Sequence, residues 1–372
     1  MSEPDTEDVD AFRRRARAFV QANLRPASAR TAARALRNDL TDEEELAEVA
    51  RERGVQRMLF DAGLAGICFP REYGGQGLTR AHQRVLNEEL AGYEFPTRFQ
   101  APTLSPCAAV LLDFGTEEQK RRHIPAILRG EEIWMQFLSE PSGGSDVAGA
   151  LTSAVRDGDE WVLNGSKEFC QEFLTDVRVP DSDRVGDVDD GWTVGTRWMF
   201  HERMLTNSPL VTVPVGFGHG GTGVSSLVAV AARDAGRLSE PVVRDLIGEA
   251  RMLDIVDREL RQRIGEGIAT GAIVDQSAAI TRLFSGVSSA RIRTIGFEVA
   301  GTAGAAWTDD DGQLAFCTDD YLMRQVSCIG GGTTEMARNV VSERVLGMPR
   351  ERSLDRDVPF RDVPRGRASS RS

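Results

Sequence analysis

Two places in this 372-residue chain combine residue types that could do chemistry. The first is Glu202. Val194, Trp198, Glu202 and Leu205 recur at helical spacing, so the carboxylate shares the apolar face of its helix. Burial disfavours the charged form and raises a carboxyl pKa, which suits a general base working near neutrality. The plainer alternative is a solvated helix glutamate paired with a neighbour. The second place is Ser139–Asp146, SEPSGGSD. Gly143 and Gly144 let a backbone approach a bulky ligand, and Ser139 and Ser145 offer hydroxyls. An ordinary turn of small residues is the alternative.

The elements around these residues can be read from periodicity and punctuation. After the loop, Thr152–Val155 and Glu160–Leu163 read as short strands, with Asp157-Gly158 as a hairpin turn and Asn164-Gly165 as a second turn. Upstream, Phe12, Ala16, Phe19, Val20 and Leu24 fall on one helical face, and Glu43–Ala62 repeats that pattern. Thr116 and Gln119 fit a capping box. Downstream, Glu240–Gly265, Val274–Gly301 and Thr333–Gly347 are long helical patterns. With the helix that begins at Gly191 they suit a four-helix bundle. The expected division is a helical domain over 1–134, a small β-region over 135–188, a helical bundle over 189–351 and a polar, disordered tail over 352–372.

Composition removes several classes of function. Asp and Glu outnumber Lys and Arg by 57 to 45, a net charge of −12, which argues against a nucleic-acid partner. Five scattered cysteines and four histidines show neither metal-ligand spacing nor a disulfide framework, so no metal and a cytoplasmic location are expected. The acidic start MSEPDTEDVD is unlike a signal peptide, and no apolar run reaches the roughly 18 residues needed for membrane insertion. Gly216–Gly221 satisfies G-x-G-x-x-G, but Pro214 breaks the strand that should precede a dinucleotide fingerprint.

Several ordered motifs closely resemble the acyl-CoA dehydrogenase family: FPREYGGQG (Phe69–Gly77), GTEEQKRRHIPAILRGE (Gly115–Glu131), SEPSGGSD, FLTDVRVP (Phe173–Pro180), GWTV (Gly191–Val194) and GGTTEMARNVVSERVLGMPRE (Gly331–Glu351). The resemblance implies a mainly α fold with an N-terminal helical domain, a middle β-domain and a C-terminal four-helix bundle. It implies FAD as cofactor, an acyl-CoA substrate, an electron-transfer flavoprotein as partner, and a homodimer or a homo- or hetero-tetramer. It also implies roles by position. Leu138, Ser139 and Ser145 match flavin-loop positions, Ser145 also being near substrate. Glu298 and Gly301 in FEVAGTAG match an element that touches FAD from a neighbouring subunit, and Thr333 meets the flavin or its phosphates. Arg203 matches a substrate-side position. Many members carry the catalytic Glu where Gly331 stands here; Glu202 matches the second position used for it.

The chain departs from the family pattern after Lys167, which runs almost directly into Phe173; most of the middle β-domain is missing. Three functions follow from the resemblance. One is flavin-dependent dehydrogenation of an acyl-CoA thioester in lipid, branched-chain or steroid side-chain catabolism. Another is a catalytically degenerate or partner subunit with weak or no FAD binding. The third is an oxidase on the same fold.

Overall fold

The computed structural model describes residues 7–26, 41–168, 172–205, 208–214, 224–306, 313–350, 352, 358–359 and 362–363. The G-x-G-x-x-G segment and almost all of the tail beyond 351 lie outside the described residues.

The N-terminal helices are α1 (Val9–Asn23), α2 (Asp42–Asp61), α3 (Arg80–Glu89), α4 (Ala109–Phe114) and α5 (Glu117–Leu128). Their ends are set by local chemistry. Asp8 caps α1 by accepting the amides of Asp10 and Ala11 at 3.0 and 3.1 Å. Thr116 and Gln119 form the expected capping box on α5. Phe12, Ala16 and Val20 of α1 are buried with Leu59, Leu64, Ile67, Val85 and Leu86. The α2 face differs from a plain apolar stripe, because Glu52 and Gln56 are buried on it. Both are paired: Arg98 Nη1 reaches Glu52 at 2.6 Å, and Gln56 Nε2 donates to the Leu128 carbonyl at 2.7 Å. Satisfied in this way, buried polar groups do not carry the full desolvation penalty.

Three antiparallel strands follow: β1 (Ser153–Asp157), β2 (Glu160–Lys167) and β3 (Glu172–Pro180), in the order β1-β2-β3. The β1–β2 hairpin turns between Asp157 and Glu160 with Gly158 at φ +67°. Asn164-Gly165 is not a second turn. It lies inside β2 as an irregularity between Leu163 and Gly165, and the strand continues to Lys167. Gly165 is needed there because a Cβ would stand 2.4 Å from Thr152 Oγ1 and 2.7 Å from Thr152 Cα. β2 pairs directly with β3 from Glu160↔Pro180 to Lys167↔Glu172, leaving β1 and β3 as the two edges of an open sheet. Its outer strands leave exposed apolar side chains, Val155 and Phe173 among them.

The remaining helices are α6 (Gly191–Arg203), α7 (Val224–Asp234), α8 (Pro241–Ala269), α9 (Ala278–Ala305), α10 (Gln313–Leu322) and α11 (Thr334–Val340). The bundle core joins Val228, Ala231 and Ala232 of α7, Val243 and Ala250 of α8, Ile292, Ile295 and Val299 of α9, and Cys317 of α10. A four-helix core is thus present, but neither the Gly191 helix nor the Thr333–Gly347 segment contributes buried residues to it; α7 and α10 take their places. α6 packs instead on α4 and the Thr103–Ala108 segment of the N-terminal region. Helical periodicity identified its apolar face and could not say which neighbour that face meets. Among the described residues no helix is long and apolar enough to cross a membrane.

Candidate functional site

Glu202 is held by the two ends of a short span. On α6 itself, Asp113 of α4 accepts Arg197 Nε at 2.6 Å and lies 2.8 Å from His201 Nε2. Burial would push the Asp113 carboxyl up, but Arg197 and His201 outweigh it and keep it below its ordinary range. Ser105 Oγ donates to the His201 carbonyl at 3.2 Å. Beyond the helix, the chain is pinned into the N-terminal core. Val211 is buried, the Thr212 amide donates to Gln100 Oε1 at 3.0 Å, and the Val213 amide donates to Asn87 Oδ1 at 3.2 Å. Backbone anchors on both sides therefore fix where Glu202 sits.

Val194, Trp198, Glu202 and Leu205 are all half-buried, as their shared helical face requires, while Arg203 is exposed. Burial raises the Glu202 pKa above the usual carboxylate range, against the opposing pull of Arg203 and Arg282. Such a carboxylate is a better proton acceptor than a solvated one. Gly331 has no side chain to compete with it. The glycine loop leads into α11, where Thr333 is the N-cap and its Oγ1 accepts the Met336 amide at 3.1 Å.

The Ser139–Asp146 loop is built around a carboxylate that sequence reading treated only as part of a string. Glu140 is 3% exposed. Its Oε1 accepts Lys167 Nζ at 2.8 Å and the Thr152 amide at 2.9 Å, and its Oε2 accepts the Leu151 amide at 2.5 Å. Burial alone would raise its pKa, but Lys167 and these amides hold it down at about 2. A further strut runs from the Glu168 amide to the Ser139 carbonyl at 3.0 Å. Glu140 thus locks the loop to the start of β1 and the end of β2. Leu138 and Ser139 stay half-buried and Ser145 exposed, free to meet a ligand.

Glu298 and Gly301 lie elsewhere. Glu298 is exposed and receives Arg291 Nη1 at 3.3 Å. At Gly301, with φ +60°, the guanidinium of Arg237 occupies the place of a Cβ, 2.5 Å away, and donates to the Glu298 and Val299 carbonyls. Arg282, whose charge acts on Glu202, is sixteen residues earlier on α9, about 24 Å at 1.5 Å per residue. Within one chain the Glu298–Gly301 element and the Glu202 site are therefore separate. Arg282 itself was not singled out from the sequence. The available signal was a lone cation in the apolar run Ile280–Val287.

The loop is partly exposed. It offers two serine hydroxyls and close backbone approach at Gly143 and Gly144, and apolar Phe137, Leu151 and Phe173 are uncovered on its flanks and on the sheet. No group of three or more His, Cys, Asp or Glu stands ready to hold a metal among the described residues.

A helical N-terminal region, a small antiparallel sheet locked to the Ser139–Asp146 loop and a helical bundle make a mainly α-helical architecture, with a half-buried glutamate on α6. The comparisons agree on the family. Residues 6–131 match the acyl-CoA dehydrogenase N-terminal domain. Acyl-CoA dehydrogenase IpdE1 of Mycobacterium tuberculosis is 28% identical over 404 aligned positions, covering 93% of this chain and 99% of the relative. That span exceeds the length of this chain, as it must where a segment of the relative has no counterpart here. Acyl-CoA dehydrogenase FadE26 of the same organism is also 28% identical, over 77% of this chain and 86% of its own. Among solved structures, a steroid acyl-CoA dehydrogenase, Tcur3481-Tcur3483, shares the fold with a TM-score of 0.68 at 24% identity, covering 92% of this chain and 98% of that one. The N-terminal domain of the acyl-CoA dehydrogenase family is thus present, and nearly the whole chain is similar to proteins named acyl-CoA dehydrogenases, with most of the middle β-domain missing after Lys167.

Proposed function

We propose that this protein catalyses α,β-dehydrogenation of an acyl-CoA thioester, with Glu202 as the base that removes the α-proton. The observation that carries this reading is the half-burial of Glu202 on α6, with its pKa raised, in a chain that has Gly331 at the other position the resemblance offers for the base. FAD, when bound, would supply the acceptor for the β-hydride. Leu138 and Ser139 would present backbone groups to it, Ser145 its hydroxyl and Thr333 the start of α11. Glu298 and Gly301 would serve a cofactor held by a neighbouring copy or subunit. Arg203, exposed next to Glu202, would face the substrate. Proton and hydride leave from adjacent carbons, so neither a carbanion nor a cation need persist.

The relatives named for steroid substrates support a bulky lipid or steroid side chain as the acyl group. An electron-transfer flavoprotein as acceptor and a cytoplasmic location complete the reading. So does assembly as a homodimer or a homo- or hetero-tetramer, which the ChsE4-ChsE5 complex among the neighbours supports. The division at residues 134, 188 and 351 belongs to the same proposal.

One observation favours a second reading, a partner subunit with weak FAD binding. The three-stranded sheet gives a ring one wall, with Phe173 and Val155 left uncovered. The absorbance spectrum of purified protein decides between them. Flavin bands, with turnover on a dye acceptor that Glu202→Gln lowers about 10²–10⁴-fold, support the dehydrogenase. A flavin-free protein that FAD does not reconstitute supports the partner reading. Glu202→Gln activity within threefold of wild type would remove Glu202 as the base.

A further inference from the structure

α6 carries Glu202, yet apolar packing does not seat it: none of its 13 residues is buried. A half-covered apolar face sets the register of a helix loosely, whereas hydrogen bonds are directional and fix it. Two such contacts converge on His201, the residue bonded to Glu202. Asp113 Oδ2 lies 2.8 Å from His201 Nε2 and accepts Arg197 Nε, one turn earlier, at 2.6 Å. Ser105 Oγ donates to the His201 carbonyl at 3.2 Å. That carbonyl stands in the last turn of α6, where helix carbonyls run out of helical amides to bond. It also belongs to the peptide unit that joins His201 to Glu202. One residue is thus gripped by its side chain and by the backbone that leads to the carboxylate.

The grip has a firm backing. Ser105 and Asp113 come from one continuous stretch, the Thr103–Ala108 segment and α4. Leu104, Ala108 and Leu111 bury that stretch in the N-terminal core. Ser105 is itself fully enclosed, and within Thr103–Ala108 it alone leaves helical geometry, at φ −140° and ψ 125°. An enclosed hydroxyl needs an acceptor, and this one finds it on α6. The two partners of Asp113 are unequal. The Arg197 side chain is 43% exposed, so its pairing contributes little, while the His201 side chain is 12% exposed and sheltered.

We infer that Ser105 and Asp113 are positioning residues of the proton-abstraction site: acting through His201, they set the register of the last turn of α6 and with it the reach of the Glu202 carboxylate. The inference rests on Glu202 being the base. A base displaced by about 1 Å loses about 10²-fold in rate with its own chemistry intact. A loosened last turn would also admit water around Glu202. Its carboxyl, raised by burial, would then fall back toward the ordinary carboxylate range.

The test centres on Ser105→Ala, which removes the hydroxyl and no charge. Asp113→Ala, His201→Ala and His201→Gln accompany it; the glutamine amide nitrogen stands in for Nε2 toward Asp113. Two readouts in cofactor-free protein need no turnover. One is amide exchange at Glu202–Leu205, and the other is the Glu202 carboxyl titration, read as an infrared difference against Glu202→Gln. Ser105→Ala should speed exchange in that turn about tenfold or more, with Ile295 in the bundle core unchanged, and should move the Glu202 midpoint down by about half a pH unit or more. Asp113→Ala and His201→Ala should speed the same exchange, and His201→Gln should recover most of the loss. In the loaded enzyme Ser105→Ala should lower kcat about tenfold or more with KM within about threefold. Exchange and midpoint in Ser105→Ala equal to wild type overturn the inference, as do unchanged exchange in Asp113→Ala, a glutamine variant that behaves like the alanine one, or an effect confined to KM. Should Ser105→Ala fail to fold, the two His201 variants decide by the same exchange readout. Full turnover in Glu202→Gln would remove the base assignment itself, whereas unchanged exchange in Ser105→Ala removes the grip and leaves that assignment standing.

Discussion

Replacing Glu140 by Gln tests whether the ligand loop is held by one buried carboxylate. The group stands at about 2 in the folded protein against an ordinary 4.5. At about 1.4 kcal/mol per unit, that shift is worth about 3 kcal/mol at neutral pH. A second route gives a similar figure. Removing one partner of a buried pair costs about 3–5 kcal/mol, and Gln keeps an acceptor for one of the two amides, which lowers this. In a chain of several domains the cost falls on the local unit, so amide exchange at Leu151, Thr152 and Glu168 is the assay. At pH 7 those amides should exchange about a hundredfold faster in Glu140→Gln, while amides of the α9 core keep their rates. The sign with pH follows from a depressed folded pKa. The stabilisation is fully present above the unfolded value near 4.5 and is lost as pH falls toward 2, so wild type should approach the variant across that window. Equal exchange in the two proteins at pH 7, or wild-type protection that stays level from pH 5 to 2, would refute the lock.

Gly165→Ala should loosen the same unit by about 1–3 kcal/mol, because its Cβ collides with Thr152 backbone as well as side chain; unchanged exchange at Thr152 would count against this. Burial pushes the thiols of Cys68 and Cys107 up to about 11, so both should resist a thiol reagent at pH 7.5 in native protein and react once it is unfolded. Labelling of the folded protein at the rate of a free thiol would contradict their burial.

Much of the molecule was legible from local chemistry alone. Asp8–Leu24 and Glu43–Ala62 became α1 and α2 because apolar spacing and polar caps act within a few residues. The hairpin at Asp157-Gly158 followed from its turn residues. The half-burial of Glu202 followed from its place on a 3.6-residue stripe. Other features depend on segments far apart in the chain. Asn164-Gly165 carries turn residues, yet the pairing of β2 with β3 and the approach of Thr152 make it an irregularity inside a strand. The apolar face of α6 was readable, but its partner, α4 with the Thr103–Ala108 segment, was decided by packing. Glu140 looks like an ordinary charge in sequence. What gives it a role is the amides and lysine that surround it. Periodicity reports which side of an element is apolar; desolvation and Coulomb energy depend on what tertiary contact brings to that side, and no local pattern encodes it.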